Sequence, residues 1–116
     1  MANTFKLKTK SGVNGSALST VYTVPANTTA VIIGLTISNI LGQSITADAQ
    51  IVTASSTGEN ADVVYIDKAV PLPAGSSIEV MSGNKIILQA GDVVKSGGSN
   101  ASGNDADVIL SIMEIS

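Results

Sequence analysis

Apolar and polar residues alternate along most of the chain, and this alternation predicts β-strands. Successive side chains of a strand point to opposite faces, so a period of two indicates a strand with one buried face. No stretch has the sustained period of about 3.6 residues that marks an amphipathic helix. The pattern predicts eight or nine short strands, within Thr4–Lys10, Leu18–Val24, Thr29–Ile40, Ile45–Thr53, Asp62–Leu72, Ser77–Met81, Lys85–Leu88, Asp92–Lys95 and Ala106–Ile115.

Three similar corners separate several of these strands. Each places an alanine before an Asn or Gly, the residues that tolerate positive φ, in Pro25-Ala26-Asn27, Pro73-Ala74-Gly75 and Gln89-Ala90-Gly91. Short strands with turn signals every 8–12 residues or so are typical of a sandwich or barrel. We therefore predict an all-β fold, a single antiparallel β-sandwich or jelly-roll-like domain over residues 1–116.

The first strand, Thr4–Lys10, has one apolar and one basic face. Phe5, Leu7 and Thr9 share the first, and three lysines occupy the second. We predict that the apolar face is the buried one and that the lysines guard an exposed sheet edge. A contact of the lysines with a phosphate or a partner is the alternative interpretation.

Two later strands each offer a second face for contacts. In Thr29–Ile40 small residues oppose the apolar face, so the second face is flat. In Ala106–Ile115 both faces are apolar, which predicts a central strand or one covered on both sides. These two second faces are the predicted contact surfaces. In Thr29–Ile40 the predicted core face is Val31, Ile33, Leu35 and Ile37, and the small face is Gly34, Thr36 and Ser38.

The connections also carry signals. Asn14-Gly15 favours a hairpin-type turn, and both Leu41–Ser44 and Ser82–Asn84 are predicted to close antiparallel hairpins. A break in the alternation predicts a β-bulge near Asp67-Lys68. The segment 96–105, SGGSNASGND, has no apolar side chain larger than Ala, which predicts an exposed loop.

The composition excludes several kinds of site. The sequence has no Cys, His, Trp or Arg, which removes disulfides, cysteine metal sites and histidine bases. Six lysines against nine acidic residues give a net charge of −3, which argues against nucleic acid and anionic membranes as partners. Charged residues make up only 13% of the chain, so we expect it to pack against copies of itself or a partner.

Candidate chemistry is sparse. Asn104-Asp105-x-Asp107 offers oxygen ligands to a hard cation such as Ca²⁺, although a polar loop entering a strand explains the same pattern. No Gly-x-Ser-x-Gly elbow occurs, and the acidic residues are scattered. We therefore expect no enzymatic activity, and we assign no catalytic, cofactor-binding or metal residue. No apolar stretch is long enough to cross a membrane, and the first residues lack the apolar core of a signal peptide, so we expect a protein made in the cytosol.

Four stretches of the sequence resemble small virion structural proteins of tailed bacteriophages, in particular phages of marine cyanobacteria. They are TVYTVPANTTAVIIGLTISN (Thr20–Asn39), VYIDKAVPLPAGSS (Val64–Ser77), MSGNKIILQAGDVVK (Met81–Lys95) and DVILSIMEIS (Asp107–Ser116). The resemblance is a pattern of β-corners and covers most of the chain. It implies a non-enzymatic β-rich assembly protein present in many copies, and it transfers no functional residue.

The resemblance leads to one principal hypothesis and one alternative. The first is a multi-copy capsid decoration (cement) protein that stabilises the shell, contacting copies of itself as a trimer and also the major capsid or tail protein. The alternative is a tail- or fibre-associated module that binds a host receptor or glycan through the 96–105 loop. Either way the expected location is the virion.

Overall fold

Antiparallel strands make up most of the part of the chain that the structure describes. The structure is a computed structural model, which describes residues 3–13, 18–53, 62–99 and 105–116. Within these residues there is no helix, and so none long and apolar enough to cross a membrane. The strands are β1 (Asn3–Val13), β2 (Ser19–Thr23), β3 (Thr29–Asn39), β4 (Ile45–Val52), β5 (Val63–Leu72), β6 (Ser77–Glu79), β7 (Ile86–Leu88), β8 (Val93–Gly98) and β9 (Ala106–Ile115).

The strands form two sheets that face each other. Sheet I has the order β1-β9-β3-β6, with β7 also paired to β3, and sheet II has the order β2-β8-β4-β5. Since β6 and β7 lie end to end along β3, they act as one interrupted edge strand, and each sheet is effectively four strands wide. This strand order is that of an eight-stranded jelly roll. The predicted all-β sandwich is confirmed.

The three predicted corners are confirmed by their backbone angles. Asn27, Gly75 and Gly91 have φ values of 59°, 72° and 90°. The first and third corners also meet, because Gly91 N donates to Val24 O and Val24 N donates to Asp92 O, each at 2.9 Å. The corner residues therefore turn the chain and join two distant segments.

An aliphatic core fills the space between the sheets. Sheet I contributes β3 and β9 residues that are almost fully buried, and sheet II contributes small residues of β4 with Val94 of β8. Each fully buried Val, Leu or Ile contributes roughly 1.5–3 kcal/mol. The largest fully buried aliphatic residues are Ile32, Leu35, Ile37, Leu72, Leu88, Leu110 and Ile112.

A bulge in β3 changes which of its residues face the core. The pairing with β9 shifts register between Ile32 and Gly34, so the alternation reverses phase there. Ile32 is buried, whereas Ile33 is 39% exposed. The predicted core face was therefore wrong at Val31 and Ile33, since a bulge inserts one residue that strict alternation does not count. The prediction holds for Leu35 and Ile37, which lie after the bulge.

The two predicted hairpins are wrong. The Leu41–Ser44 connection carries the chain from β3 in sheet I to β4 in sheet II, which do not pair. The Ser82–Asn84 segment does turn, with positive φ at Ser82 and Gly83. However, β6 and β7 both pair with β3 and not with each other, so the turn connects the two halves of one interrupted edge strand. Turn chemistry fixes a local reversal, but the partner of each strand depends on packing.

The predicted bulge in β5 is confirmed. Ala47 pairs with Val70 and Ala49 pairs with Asp67, so β5 has one extra residue there. Ala69 takes up a positive φ of 53°, and its N–H donates to Asp48 Oδ1 at 2.7 Å. The predicted Asn14-Gly15 turn lies outside the described residues.

The predicted exposed loop at 96–105 begins too early. Ser96, Gly97 and Gly98 belong to β8, pair with β4, and are buried. Gly98 is required by close packing, because a Cβ there would lie 2.7 Å from Asp105 Oδ2 and 2.8 Å from Asp105 Cβ. Asp105 itself is fully buried. Residues 100–104 of the predicted loop lie outside the described residues. A Ser-Gly-Gly run has no apolar alternation, so its sequence does not indicate a strand.

Candidate functional site

The outer face of sheet I carries a continuous row of apolar residues. Phe5 of β1 pairs with Met113 of β9, Met113 pairs with Val31 of β3, and Val31 pairs with Ile87 of β7. Residues paired across strands share a face of the sheet, so the four side chains form one line across its full width. We call this line the apolar row. Phe5 is 73% exposed and Ile87 is 70% exposed. Such exposure is unusual for Phe5, the only phenylalanine of the chain.

Two further rows extend this surface along the strands. The next consists of Leu7, Ser111 and Gly34, and the one after it of Thr9, Ile109, Thr36 and Glu79. We call the three rows together the outer face. The first two rows contain no charged residue, and the third contains only Glu79, at the edge of the sheet. The outer face is therefore apolar or small over most of its area.

The first strand has the opposite orientation to the one predicted. Lys6 points to the inner side, where its Nζ lies 2.8 Å from Glu114 Oε1. Lys8 also points inward, with its Nζ 5.8 Å from the centre of the Tyr22 ring. Phe5 and Leu7 consequently face outward. The prediction that this apolar face of β1 is buried was therefore wrong. β1 is an edge strand, as predicted.

The inward lysines are held by a buried polar cluster between the sheets. Tyr22 Oη of β2 donates to Glu114 Oε2 of β9 at 2.5 Å. Burial, and then the hydrogen bond to Glu114, raise the pKa of the Tyr22 hydroxyl, so it remains a proton donor. Hydrogen bonds from Lys6 and then Tyr22 lower the pKa of Glu114. These groups join the two sheets and hold β1 with its apolar side outward.

A carboxylate completes the opposite edge of sheet I. Glu79 Oε1 accepts hydrogen bonds from Leu35 N at 3.1 Å and Met81 N at 2.9 Å. Glu79 Oε2 accepts from Thr36 Oγ1 at 3.1 Å. The carboxylate satisfies backbone donors where the edge strand is interrupted between β6 and β7. These three hydrogen bonds fix the position of the Glu79 carboxylate, the single charge of the outer face.

An apolar groove of about 360 Å³ continues the surface beyond Ile87. It lies between β7 of sheet I and β5 of sheet II. Thr53 and Asp92 are polar residues at its wall. Its apolar lining includes Ile51, Val64, Tyr65, Ile86, Ile87 and Leu88.

The candidate cation ligands are not brought together. Asp105 is buried beside Gly98, whereas Asp107 Oδ1 accepts a hydrogen bond from Gly12 N at 3.1 Å near the surface. Asn104 lies outside the described residues. Among residues 3–13, 18–53, 62–99 and 105–116, no group of three or more acidic, His or Cys side chains has a metal-binding arrangement.

The two predicted contact surfaces lie side by side on the outer face. The small residues of β3 and the outward residues of β9 are paired in register, and β9 is central as predicted. Phe5, Leu7 and Ile87 complete this surface and were not predicted to belong to it. Their alternation was visible, but alternation does not state which face of a strand points to the core.

No protein-family model and no curated protein matches this sequence. One similar solved structure is described as "Bacillus endospore appendages form a novel family of disulfide-linked pili". It is 13% identical, with a TM-score of 0.49, and the match covers 96% of this chain and 86% of that chain. At this level of similarity the match does not define a function for this chain.

Proposed function

We propose that this chain is a non-enzymatic structural protein of a bacteriophage virion. In this role many copies attach to the capsid as a decoration protein and stabilise the shell through protein–protein contacts. Its partners are copies of itself and other virion proteins, such as the major capsid or tail protein. The phage assignment comes from the sequence resemblance, and the surface that would make the contacts comes from the fold.

The observation that carries the proposal is the exposed apolar outer face. Monomeric proteins rarely leave a contiguous apolar patch of several hundred Å² uncovered. Here β1 turns its two large apolar side chains outward, while Lys6 and Lys8 lie on its other side, against Glu114 and the Tyr22 ring. Burying a side chain such as Phe5, Leu7 or Ile87 gains up to about 1.5–3 kcal/mol. Contacts repeated over many copies would stabilise both the protein and the shell by mass action.

The fold is compatible with this role without selecting it. Jelly rolls occur in viral capsid proteins and also in lectins, and a fold by itself does not specify function. The alternative function, binding of a receptor or glycan, depends on the 96–105 segment. Part of that segment cannot contact a ligand, since Ser96, Gly97 and Gly98 are buried in sheet II. We therefore retain the decoration role as the proposed function.

Mass spectrometry of purified virions tests this proposal. The particles should come from a phage whose genome encodes this sequence, purified through a density gradient and quantified against the major capsid protein. We expect this chain in tens to hundreds of copies per particle. Removing it should lower the temperature at which the shell releases DNA, and adding it back should restore that temperature. Particles that lack the chain, or that carry only trace amounts, would refute the proposal.

A further inference from the structure

We infer that the outer face binds the same face of a second copy, about a two-fold axis parallel to the strands. This inference rests on the proposed role of the outer face as a packing surface, and it names the partner and the geometry. It puts a dimer in place of the trimer expected in the sequence analysis. The contact is isologous, so each residue pair occurs twice in the dimer.

The distribution of charge favours a second copy of the outer face as the binding partner. Lys6 and Lys8 point inward, so the face presents no cation to a nucleic acid or an anionic lipid headgroup. The residues of the apolar row and of the row beside it are uncharged, and one carboxylate, that of Glu79, lies against the second row at Gly34. This carboxylate accepts three hydrogen bonds within its own chain, from Leu35 N, Met81 N and Thr36 Oγ1, so covering it leaves no charge without polar partners.

The area of the whole outer side of sheet I matches the lower range of specific interfaces. This side extends one row beyond the outer face at each end, to the row of Asn3, Ile115 and Thr29 and to the row of Asp107, Ser38 and Ser77. Four strands at a spacing of about 4.8 Å, each contributing about nine residues at 3.3 Å, give an area of about 570 Å². Two such faces bury about 1,100–1,200 Å² in total, and specific interfaces begin near 1,000–1,200 Å². A reversible dimer with a dissociation constant in the micromolar range is the expected result.

The two-fold axis follows from the order of the rows. An axis parallel to the strands, placed between β9 and β3, exchanges the two edges of the sheet. Phe5 then lies opposite Ile87 of the partner subunit, and Met113 lies opposite Val31 of the partner subunit. In the next row Ser111 lies opposite Gly34 of the partner subunit, and the Glu79 carboxylate lies beside Gly34, where an added Cβ would be 3.4 Å from Glu79 Oε2. The strands of the two sheets remain aligned, as in the common packing of β-sandwiches.

An axis across the strands keeps each strand opposite its own copy. Placed through the middle row, it exchanges the first and third rows, so Phe5 would face Thr9 of the partner subunit. Placed along the apolar row, it pairs that row with itself but sets Leu7 against Asn3 of the partner subunit and Gly34 against Thr29 of the partner subunit. The parallel axis keeps every row opposite itself, and the cross-linking experiment below distinguishes the two arrangements.

The first experiment measures the oligomeric state of the purified full-length chain by sedimentation velocity over a range of concentrations. We expect a monomer–dimer equilibrium. F5K and I87E each place a charge at an end of the apolar row, and each should weaken dimerisation by about 100-fold or more. Both positions are at least 70% exposed, so neither variant removes core packing. V63K is the matched control, because Val63 is 60% exposed but belongs to sheet II, and its dissociation constant should equal that of the wild type.

The second experiment tests the axis by cross-linking, which the absence of native cysteine makes clean. F5C and I87C are prepared separately and treated with a bismaleimide that spans about 10 Å, the usual distance between packed sheets. A mixture of the two variants should give covalent dimers, and each variant alone should give at least about tenfold less. In the dimer the two copies of position 5 lie at opposite edges, about three strand spacings or 14 Å apart laterally.

The outcomes separate this inference from the proposed function. A strict monomer, a trimer, or a dimer that F5K and I87E leave intact would overturn the inference. Efficient cross-linking of F5C alone would overturn the parallel axis. A chain that is monomeric in solution but abundant in virions would contradict the inference and leave the proposed function standing. If the chain forms a dimer with the expected cross-links but is absent from virions, the inference stands and the proposed function is refuted.

Discussion

Asn39 connects the end of β3 to two other segments, and replacing it tests how the chain crosses between the sheets. Its side chain is 4% exposed. Asn39 Nδ2 lies within hydrogen-bond distance of three carbonyl oxygens, those of Gln43 at 2.8 Å, Leu72 at 3.0 Å and Pro73 at 3.1 Å. Asn39 Oδ1 accepts from Leu41 N at 2.8 Å. The Leu41–Ser44 crossover is therefore fixed to the end of β5 by one amide.

We predict that N39A lowers the free energy of unfolding by about 2–4 kcal/mol. The two hydrogens of an amide nitrogen make two good hydrogen bonds, and a third carbonyl shares them. A lost hydrogen bond costs about 1 kcal/mol, and a buried group left without its partner costs about 1–3 kcal/mol. The buried Leu72 carbonyl and the Leu41 N–H both lose their side-chain partner. For a chain of 116 residues 1 kcal/mol corresponds to about 4 °C, so we expect the melting temperature to fall by about 8–16 °C.

N39D adds a signature that loss of packing does not have. The introduced carboxylate keeps an acceptor for Leu41 N but faces three carbonyl oxygens with no proton to donate. Burial among these oxygens raises the pKa of the introduced carboxyl in the folded state. The folded state then holds its proton more tightly than the unfolded state, whose pKa is about 3.9. The stability of N39D, relative to wild type, should therefore fall as the pH rises above about 4.

Urea denaturation followed by circular dichroism, at fixed protein concentration and several pH values, measures both effects. N84A is the control, because Asn84 is exposed in the turn between β6 and β7, and it should change stability by less than about 0.5 kcal/mol. If N39A and N84A are equally stable, or if N39D follows the pH dependence of the wild type, the account of this crossover is wrong.

Two further predictions concern the junctions of the sheets. G98A should destabilise the fold by about 1–3 kcal/mol, because its Cβ would overlap Asp105, whereas G42A, which has open space, should have little effect in the same denaturation assay. The lowered pKa of Glu114 implies stability that is present above its usual pKa of 4.5 and is lost as the pH falls through the lowered value. E114Q should therefore flatten the acid limb of the pH–stability curve, and an unchanged limb would exclude the ion pair with Lys6 as its cause.

Local chemistry predicted the parts of the fold that depend on one or two residues. Asn27, Gly75 and Gly91 were identified from the conformations that only Asn and Gly adopt easily, and the structure gives each a positive φ. The period of two identified the strands, and the doubly apolar β9 was correctly expected to be central. The break in period at Asp67-Lys68 correctly indicated a bulge. These signals are local, so the sequence contains them in full.

Pairing was harder to predict, because it depends on residues far apart in the chain. Leu41–Ser44 has the composition of a hairpin turn, yet Asn39 fastens it to the end of β5 and the chain changes sheets. Ser96–Gly98 has no apolar pattern, yet it forms a buried strand because β4 lies beside it and Asp105 packs on it. Neither partner can be identified from the neighbouring sequence.

Local sequence signals were enough to predict an all-β chain, its corners and most of its strands, and the composition leaves no histidine or cysteine chemistry. The orientation of β1, in contrast, depends on contacts that form only when the two sheets pack together. Alternation divides the side chains of a strand between two faces but does not say which face is buried. That depends on the residues of the sheet that packs against it. Sheet II offers Tyr22 opposite β1, and β9 supplies Glu114 beside it, so the inner side of β1 is favourable for lysines. Phe5 and Leu7 consequently face outward, and the apolar row on the outer face exists for that reason.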